Sequence, residues 1–324
     1  MNKDFLNFKT NDTENIHSEQ LDSDEIEMNK IIDEYIQHPD CQSYIENFKT
    51  IKPICEEVLK QKHSEIKETE WSKNVSINDA IKYAHQFLTT IDSTLADRFM
   101  NLVYQNNNNQ KTLNILPNYI KPYCEKGKAY IYYHDKIENM ITLLHEMIHA
   151  MGYSDAINTN SAYRYLSESP TLIIENLFSK WLVKNKIITQ NDYNLLKEWR
   201  LRDSQDVASK TLMEISLIEM REKGQYITKK RVLEMIDEKQ HINNFATREE
   251  CIKYLMKVLN NKRLYFKESE GYIIGQYISD KVDKSRNPEK EFLEIYNLTS
   301  NPNITPEKSL KIIKEKYQEP NIDR

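Results

Sequence analysis

The chain has 324 residues, 39% of them hydrophobic, so it is long enough to bury a substantial core. Its formal net charge of -5 provides no broad positive field of the kind that attracts nucleic-acid phosphates, so nucleic acid is not expected as the principal partner. No stretch approaches the roughly 18 apolar residues needed to cross a bilayer, and the first residues carry no apolar signal core. The sequence therefore predicts no membrane and a cytoplasmic location.

Glycine and proline are scarce, with 5 and 9 residues, and Lys, Glu, Leu and Ile recur at helical spacing. This composition favours a mainly α fold in one compact unit over a turn-rich β-sandwich. The four cysteines lie far apart and form no CxxC pair, which predicts buried free thiols rather than disulfides or a zinc knuckle. They are Cys41, Cys55, Cys124 and Cys251.

Residues 1–24 are polar and contain too few apolar side chains to offset the entropy of ordering, so they are predicted to form a flexible arm. Residues 25–125 are predicted to form an N-terminal helical region, with helical patterns over 24–38, 41–63 and 77–105. The run YQNNNNQ is typical of a turn. After it, a turn at 125–128 and the β-prone residues 129–133 predict a small sheet that leads directly into the next helix.

That helix, KIENMITLLHEMIHAM at residues 136–151, carries the main functional pattern. Apolar residues cover most of its circumference, so its polar groups are expected to be buried and to need partners. His145 and His149 are four residues apart, so both imidazoles lie on one face and can bind one Zn2+ ion. Glu146 lies beside them and is predicted to be the general base that deprotonates a zinc-activated water. The stripe expected to face the core comprises Ile137, Ile141, Leu144, Ile148 and Met151.

Two candidates for a third zinc ligand remain open. In SESPTLIIENLFSKWL, residues 167–182, Glu168 and Glu175 are two helical turns apart and can face the first helix together. Glu168 is the preferred ligand, and Glu175 is predicted to orient a ligand from behind. Asp155 is the alternative, because HEMIHAMGYSD also fits the HExxHxxGxxD pattern of metzincin-like proteases, although no clear methionine-turn segment accompanies it.

The remaining chain is predicted to be helical over 166–184, 190–220 and 229–239. Ser167 is expected to cap the glutamate helix, with Pro170 in its first turn. A last helix is predicted after Thr305 as N-cap, with Pro306 at its first position.

The segments AYIYY, ENMITLLHEMIHAM and SESPTLIIENLFSKWLVKN resemble the thimet oligopeptidase and oligoendopeptidase F family of gluzincin zinc metallopeptidases over about residues 128–185. The resemblance implies a gluzincin-like helical fold with a small β-sheet next to the HExxH helix, within a catalytic region at 126–324. It implies zinc bound by His145, His149 and Glu168, with Glu146 as general base and then acid. It also implies that AYIYY is the edge strand that pairs with peptide substrate.

Residues 265–282 resemble the tyrosine-bearing segment near the C-terminus of that family, which implies that Tyr277 or, next, Tyr272 stabilises the oxyanion. The chain departs from the family at Tyr265, which stands about where a histidine usually occurs. Only about 125 residues precede AYIYY, so the chain resembles a short form with a more open cleft.

The function expected from these features is zinc-dependent endopeptidase activity, with oligopeptides as substrates and a peptide as the partner. A metzincin-like protease that uses Asp155 and a non-catalytic peptide-binding protein on the same scaffold remain as alternatives.

Overall fold

The computed structural model describes residues 22–37, 39–62, 70–104, 106–107, 110–153, 161–238 and 266–317. These residues form a mainly helical protein with a small three-stranded sheet, as the sequence predicts. The helices are α1 (Ser23–Gln37), α2 (Pro39–Lys60), α3 (Ile77–Ile91), α4 (Ser93–Tyr104), α5 (Ile137–Gly152), α6 (Ser161–Lys184), α7 (Gln190–Glu222), α8 (Lys229–Glu238), α9 (Phe266–Asp283), α10 (Pro288–Ser300) and α11 (Pro306–Tyr317). The strands are β1 (Asn106–Asn107), β2 (Gln110–Lys111), β3 (Leu113–Leu116), β4 (Tyr123–Glu125) and β5 (Lys128–Tyr132).

None of the helices described is both long enough and apolar enough to cross a lipid bilayer. The hydrophobic core is continuous and extends from Met28 on α1 to Ile313 on α11. Two ion pairs also connect the N-terminal helices to α7, at 2.7 Å between Arg221 and Asp33 and 3.0 Å between Lys52 and Glu219. The helices that precede the sheet therefore belong to the same packed body as the helices that follow it.

The helical pattern at 77–105 forms two helices, because Asp92 interrupts it. The Asp92 backbone is extended, and its N–H donates to the Leu88 carbonyl oxygen at the end of α3. The Asp92 carboxylate then accepts a hydrogen bond of 2.8 Å from the Leu95 N–H, which caps α4. At the other end of the chain, Thr305 accepts a hydrogen bond of 3.3 Å from the Lys308 N–H, so the predicted cap of α11 is confirmed.

The glutamate helix begins earlier than predicted. α6 starts at Ser161, so the prediction that Ser167 caps this helix is wrong, and Pro170 lies in the helix interior. Pro170 has no N–H to donate to the Leu166 carbonyl, and an interior proline opposes helix formation. α6 continues through it because extensive contacts with α5 and α9 stabilise the helical conformation. Pro170 was therefore a poor marker of the first turn.

The three-stranded sheet has the order β3-β5-β4, with β3 parallel and β4 antiparallel to β5. The AYIYY strand is therefore central, and the prediction that it forms the edge is wrong. Lys126 and Gly127 have positive φ angles of 48° and 72°, and this tight turn folds β4 back onto β5. Ala129 and Ile131 on β5 are fully buried and lie on the face of the sheet that packs on α5.

Of the cysteines, Cys55 is buried and free, in agreement with the prediction, and Cys124 on β4 is free and partly buried. The side chain of Cys41 and the whole of Cys251 lie outside the described residues.

Candidate metal centre

α5 carries three polar side chains into the interior of the protein. Its side chains are buried around most of the helix, including all five of the predicted stripe and also Met140, Leu143 and Met147. His145 is 5% exposed and Glu146 is 6% exposed, so the expected burial of these groups is observed. Buried imidazole and carboxylate groups are stable only when they have hydrogen-bonding or ionic partners.

α6 supplies the first of these partners, Glu168. The two Nε2 atoms of His145 and His149 are 3.2 Å apart. One oxygen of Glu168 lies 3.4 Å from Nε2 of His145, and the other lies 3.4 Å from Nε2 of His149. One nitrogen or oxygen from each of the three side chains lies within 4.8 Å of the others, which is the spacing of a metal-binding group.

The donor atoms of this group are of the types that bind metal ions such as zinc. Zinc binds imidazole nitrogen and carboxylate oxygen at about 2.0–2.2 Å, and ligands at tetrahedral angles are then about 3.3–3.5 Å apart. In the protein the two imidazole nitrogens are 3.2 Å apart, and each lies 3.4 Å from a different oxygen of Glu168. His145, His149 and Glu168 could therefore hold a metal ion, with the ligand atoms of the three side chains within 4.8 Å of one another.

The electrostatics of this cluster favour a cation. Burial by itself lowers the pKa of His145, but hydrogen bonds with Glu168 and Glu175 outweigh burial and raise that pKa well above its usual value. Burial likewise opposes ionisation of Glu168, yet His149 and His145 hold the pKa of that carboxyl well below its usual range. The two partly buried carboxylates therefore place negative charge beside the imidazoles, where a cation would be stabilised.

Behind the three candidate ligands, Glu175 contacts the opposite side of His145. Its Oε1 lies 2.8 Å from Nδ1 of His145, and its Oε2 lies 3.0 Å from Nε of Arg200 on α7. Burial opposes ionisation of Glu175, but Arg200 and His145 lower the pKa of this carboxyl. Glu175 therefore contacts the ring nitrogen of His145 on the side away from Glu168, where it can fix the orientation of the ring.

Glu146 lies near the same cluster and has different electrostatics. Burial raises its pKa, the two histidines oppose that rise, and the charges of Glu168 and Glu175 add to it. A carboxyl with a raised pKa can both accept and release a proton near neutral pH. Burial raises the pKa of Cys124 on β4 to about 12, and the negative charge of Glu146 adds to this rise. β4 therefore lies close to Glu146.

The two candidate tyrosines on α9 lie in different environments. The pKa of Tyr272 is raised well above its usual value. The negative charge of Glu168 is the largest cause, and burial and the charge of Glu146 follow. Tyr272 therefore lies close to the candidate metal centre. Tyr277, which the sequence ranked first, is five residues further along, a rotation of about 140° on a helix. Its hydroxyl donates a hydrogen bond of 3.2 Å to the carbonyl oxygen of Tyr317, at the end of α11.

Gly275 explains how α9 approaches the ligand helix so closely. A Cβ atom added at this position would lie 3.0 Å from the carbonyl carbon of Glu168 and 3.0 Å from a methyl group of Leu172. The Ser279 hydroxyl donates to the Leu172 carbonyl oxygen at 3.2 Å, which adds a direct link between the two helices. A glycine inside a helical pattern is a signal of close packing, but the sequence does not reveal which helix it packs against.

The sequence also did not identify Arg200, since no motif connects it to Glu175 across the turn between α6 and α7. Asp155, the alternative ligand, and Tyr265, the departure from the family pattern, both lie outside the described residues. No family model matches this chain, and neither a curated protein nor a solved structure gives a match.

Proposed function

We propose that this protein is a zinc-dependent endopeptidase with a gluzincin-like fold, in which His145, His149 and Glu168 bind the metal. The observation that carries the proposal is the convergence of His145, His149 and Glu168, whose ligand atoms lie within 4.8 Å of one another, with a buried glutamate adjacent to one of the histidines in sequence. The HExxH pattern alone supports a metal site. The two glutamates of α6, one beside the histidines and one behind them, support the peptidase arrangement implied by the family resemblance.

A zinc ion bound by these residues would polarise the scissile carbonyl and lower the pKa of a water molecule. Glu146 accepts the proton of the attacking water and donates it to the leaving amine, and its raised pKa suits both steps. Glu175 keeps His145 in a fixed orientation throughout the reaction.

Tyr272 is the better of the two tyrosines for stabilising the oxyanion. The neighbouring carboxylates keep its pKa far above neutrality, so its hydroxyl remains protonated and is available to donate a hydrogen bond. A fixed donor of this kind stabilises the negative charge that develops on the carbonyl oxygen. The hydroxyl of Tyr277 instead donates to the carbonyl oxygen of Tyr317, so Tyr277 is not proposed for this role.

The peptide backbone is proposed to pair with β4 rather than with the AYIYY strand. β5 has β3 on one side and β4 on the other, so its hydrogen-bonding groups are already used. β4 pairs only with β5 among the strands described, and it also contacts α5. A peptide added along Tyr123–Glu125 would lie at the edge of the sheet close to Glu146.

The test is a digest of a diverse peptide mixture read by mass spectrometry, with and without a chelator. We expect internal cleavage that the chelator abolishes and added zinc restores. Glu146→Gln should retain zinc and lose about 10²–10⁴-fold in kcat. Glu222→Gln, which changes an exposed glutamate of α7, is the matched control and should cleave normally.

Two results would contradict this proposal. Full activity of Glu146→Gln would exclude the mechanism, and bound zinc without cleavage of any peptide would favour a non-catalytic peptide-binding protein.

A further inference from the structure

We propose that Arg200 is a positioning residue for the metal centre and acts on the ligand His145 through the carboxylate of Glu175. The proposal rests on the zinc site described above, but it does not require that the protein cleaves peptides. Among the described residues, Arg200 contacts Glu175 and Ser179 rather than the three candidate ligands.

The carboxylate of Glu175 connects His145 to Arg200 through two short contacts. Oε1 of Glu175 lies 2.8 Å from Nδ1 of His145, and Oε2 of the same carboxylate lies 3.0 Å from Nε of Arg200. Only 7%, 13% and 18% of the side chains of His145, Glu175 and Arg200 are exposed. Both oxygens of Glu175 are therefore used, and the links are shielded from the solvent screening that weakens surface ion pairs.

Arg200 is itself anchored at a second point on α6. Its Nη2 donates to the Ser179 hydroxyl at 3.0 Å, and that hydroxyl donates to the Glu175 carbonyl oxygen at 2.7 Å. The guanidinium thus spans two acceptors that are one helical turn apart. A lysine at this position has a single nitrogen and lacks the planar set of donors that this bridge needs.

The consequence for the metal centre follows from the geometry of an imidazole ring. A hydrogen bond at Nδ1 fixes both the tautomer and the rotation of the ring, and so determines where Nε2 points. In His145 that nitrogen faces Glu168 and His149. Without Arg200 one oxygen of Glu175 loses its partner, and the carboxylate is no longer held in the orientation that fixes His145.

A cavity next to Arg200 allows this role to be separated from a general effect on stability. The cavity has a volume of about 450 Å³ and is lined by residues from α2, α6, α7 and α9. Arg200 is one of these residues. Truncation of Arg200 would therefore leave a space continuous with the cavity, large enough for a guanidinium ion to replace the missing group.

The experiment measures the zinc dissociation constant of the full-length chain by competition with a chelator. Arg200→Ala should bind zinc about 10–100-fold more weakly than the wild type, which is the usual effect of removing such an outer partner. Millimolar guanidinium should restore most of this loss, whereas urea, which has a similar shape but no charge, should not. Arg202→Ala is the matched control: its side chain on the same helix is 68% exposed and pairs with Glu198. It should bind zinc like the wild type.

Wild-type zinc affinity in Arg200→Ala would overturn the proposal, and so would a loss that guanidinium does not restore, because that result assigns Arg200 a general structural role. If Arg200→Ala does not fold, Arg200→Lys retains the positive charge and should still bind zinc more weakly than the wild type; unchanged affinity in that variant would also overturn the proposal. A wild-type chain that binds zinc but cleaves no peptide would contradict the proposed activity while leaving the positioning role of Arg200 intact.

Discussion

Glu168 and Glu175 both lie on α6 and are both partly buried, but they pair with different groups. Glu168 pairs with imidazoles, with one oxygen 3.4 Å from Nε2 of His145 and the other 3.4 Å from Nε2 of His149. Glu175, seven residues later, contacts one imidazole and the guanidinium of Arg200. The first carboxylate still has room for a metal ion between itself and the histidines. The second already has a permanent cation, and it is suited to hold a ring in place.

The surroundings of Glu168 and Glu175 also give the two ends of the site different roles. The Glu168 end of α6 lies near Glu146 and Tyr272, the groups proposed to act on a substrate. The Glu175 end contacts Arg200 on α7. Substitutions at the first end should therefore affect metal binding or chemistry directly, whereas substitutions at the second end should act through His145.

The largest expected effect is that of Glu168→Gln, which removes a metal ligand while preserving the shape of the side chain. Zinc affinity should fall by more than about 100-fold, because loss of a ligand should cost more than loss of a residue that only contacts a ligand. Activity should disappear with the metal. Metal analysis after dialysis measures this loss. Asp155→Ala is the control and should retain zinc. Loss of zinc from Asp155→Ala alone would replace Glu168 with Asp155 in the ligand set.

The next effect is that of Tyr272→Phe, which removes one hydroxyl at the Glu168 end. We expect kcat to fall by about 10²–10³-fold, as observed when an oxyanion donor is lost, with zinc content unchanged. Tyr277→Phe makes the same change five residues away and should leave kcat close to the wild-type value. A larger loss of kcat in Tyr277→Phe than in Tyr272→Phe would instead assign oxyanion stabilisation to Tyr277.

A smaller effect is expected from Glu175→Gln, which preserves a hydrogen bond to His145 but removes the charge that pairs with Arg200. Zinc affinity should fall by about 10–100-fold, and saturating zinc should restore much of the activity. Titration of activity against buffered zinc measures both quantities. A loss as complete as that of Glu168→Gln would mean that Glu175 is itself a ligand.

The smallest effect concerns pH. The pKa of His145 is raised, so in the metal-free protein this histidine is protonated at neutral pH, and its bonds to the two glutamates stabilise the fold. That contribution is fully present below the usual histidine pKa and is lost as the pH rises through the raised one. Zinc must displace this proton, so its affinity should rise by about tenfold per pH unit until His145 is deprotonated. Chelator competition at several pH values tests this, and an affinity that does not change with pH would contradict it.

Helical spacing predicted the features that lie within single helices. It placed His145 beside His149 and placed Glu168 on the same face as Glu175, because residues four and seven apart share a face of any helix. It also predicted the buried stripe of α5 and the cap of α11.

Features that depend on contacts between distant segments could not be obtained in this way. The central position of AYIYY depends on β3 and β4 pairing with its two edges, and the start of α6 depends on packing that stabilises an interior proline. The approach of Tyr272 and the contact of Arg200 with Glu175 both need the positions of other helices. The family resemblance had already suggested Tyr272 as the second choice for the oxyanion, whereas nothing in the sequence connected Arg200 to the site.

The most direct test of the central claim is zinc K-edge X-ray absorption of the wild-type chain loaded with one equivalent of zinc. The structure predicts a first shell at about 2.0–2.2 Å made only of nitrogen and oxygen, with the outer-shell scattering of two imidazoles. Glu168→Gln should lose this signal. A shell that contains sulphur, such as Cys124, or only one imidazole would contradict a zinc site built from His145, His149 and Glu168.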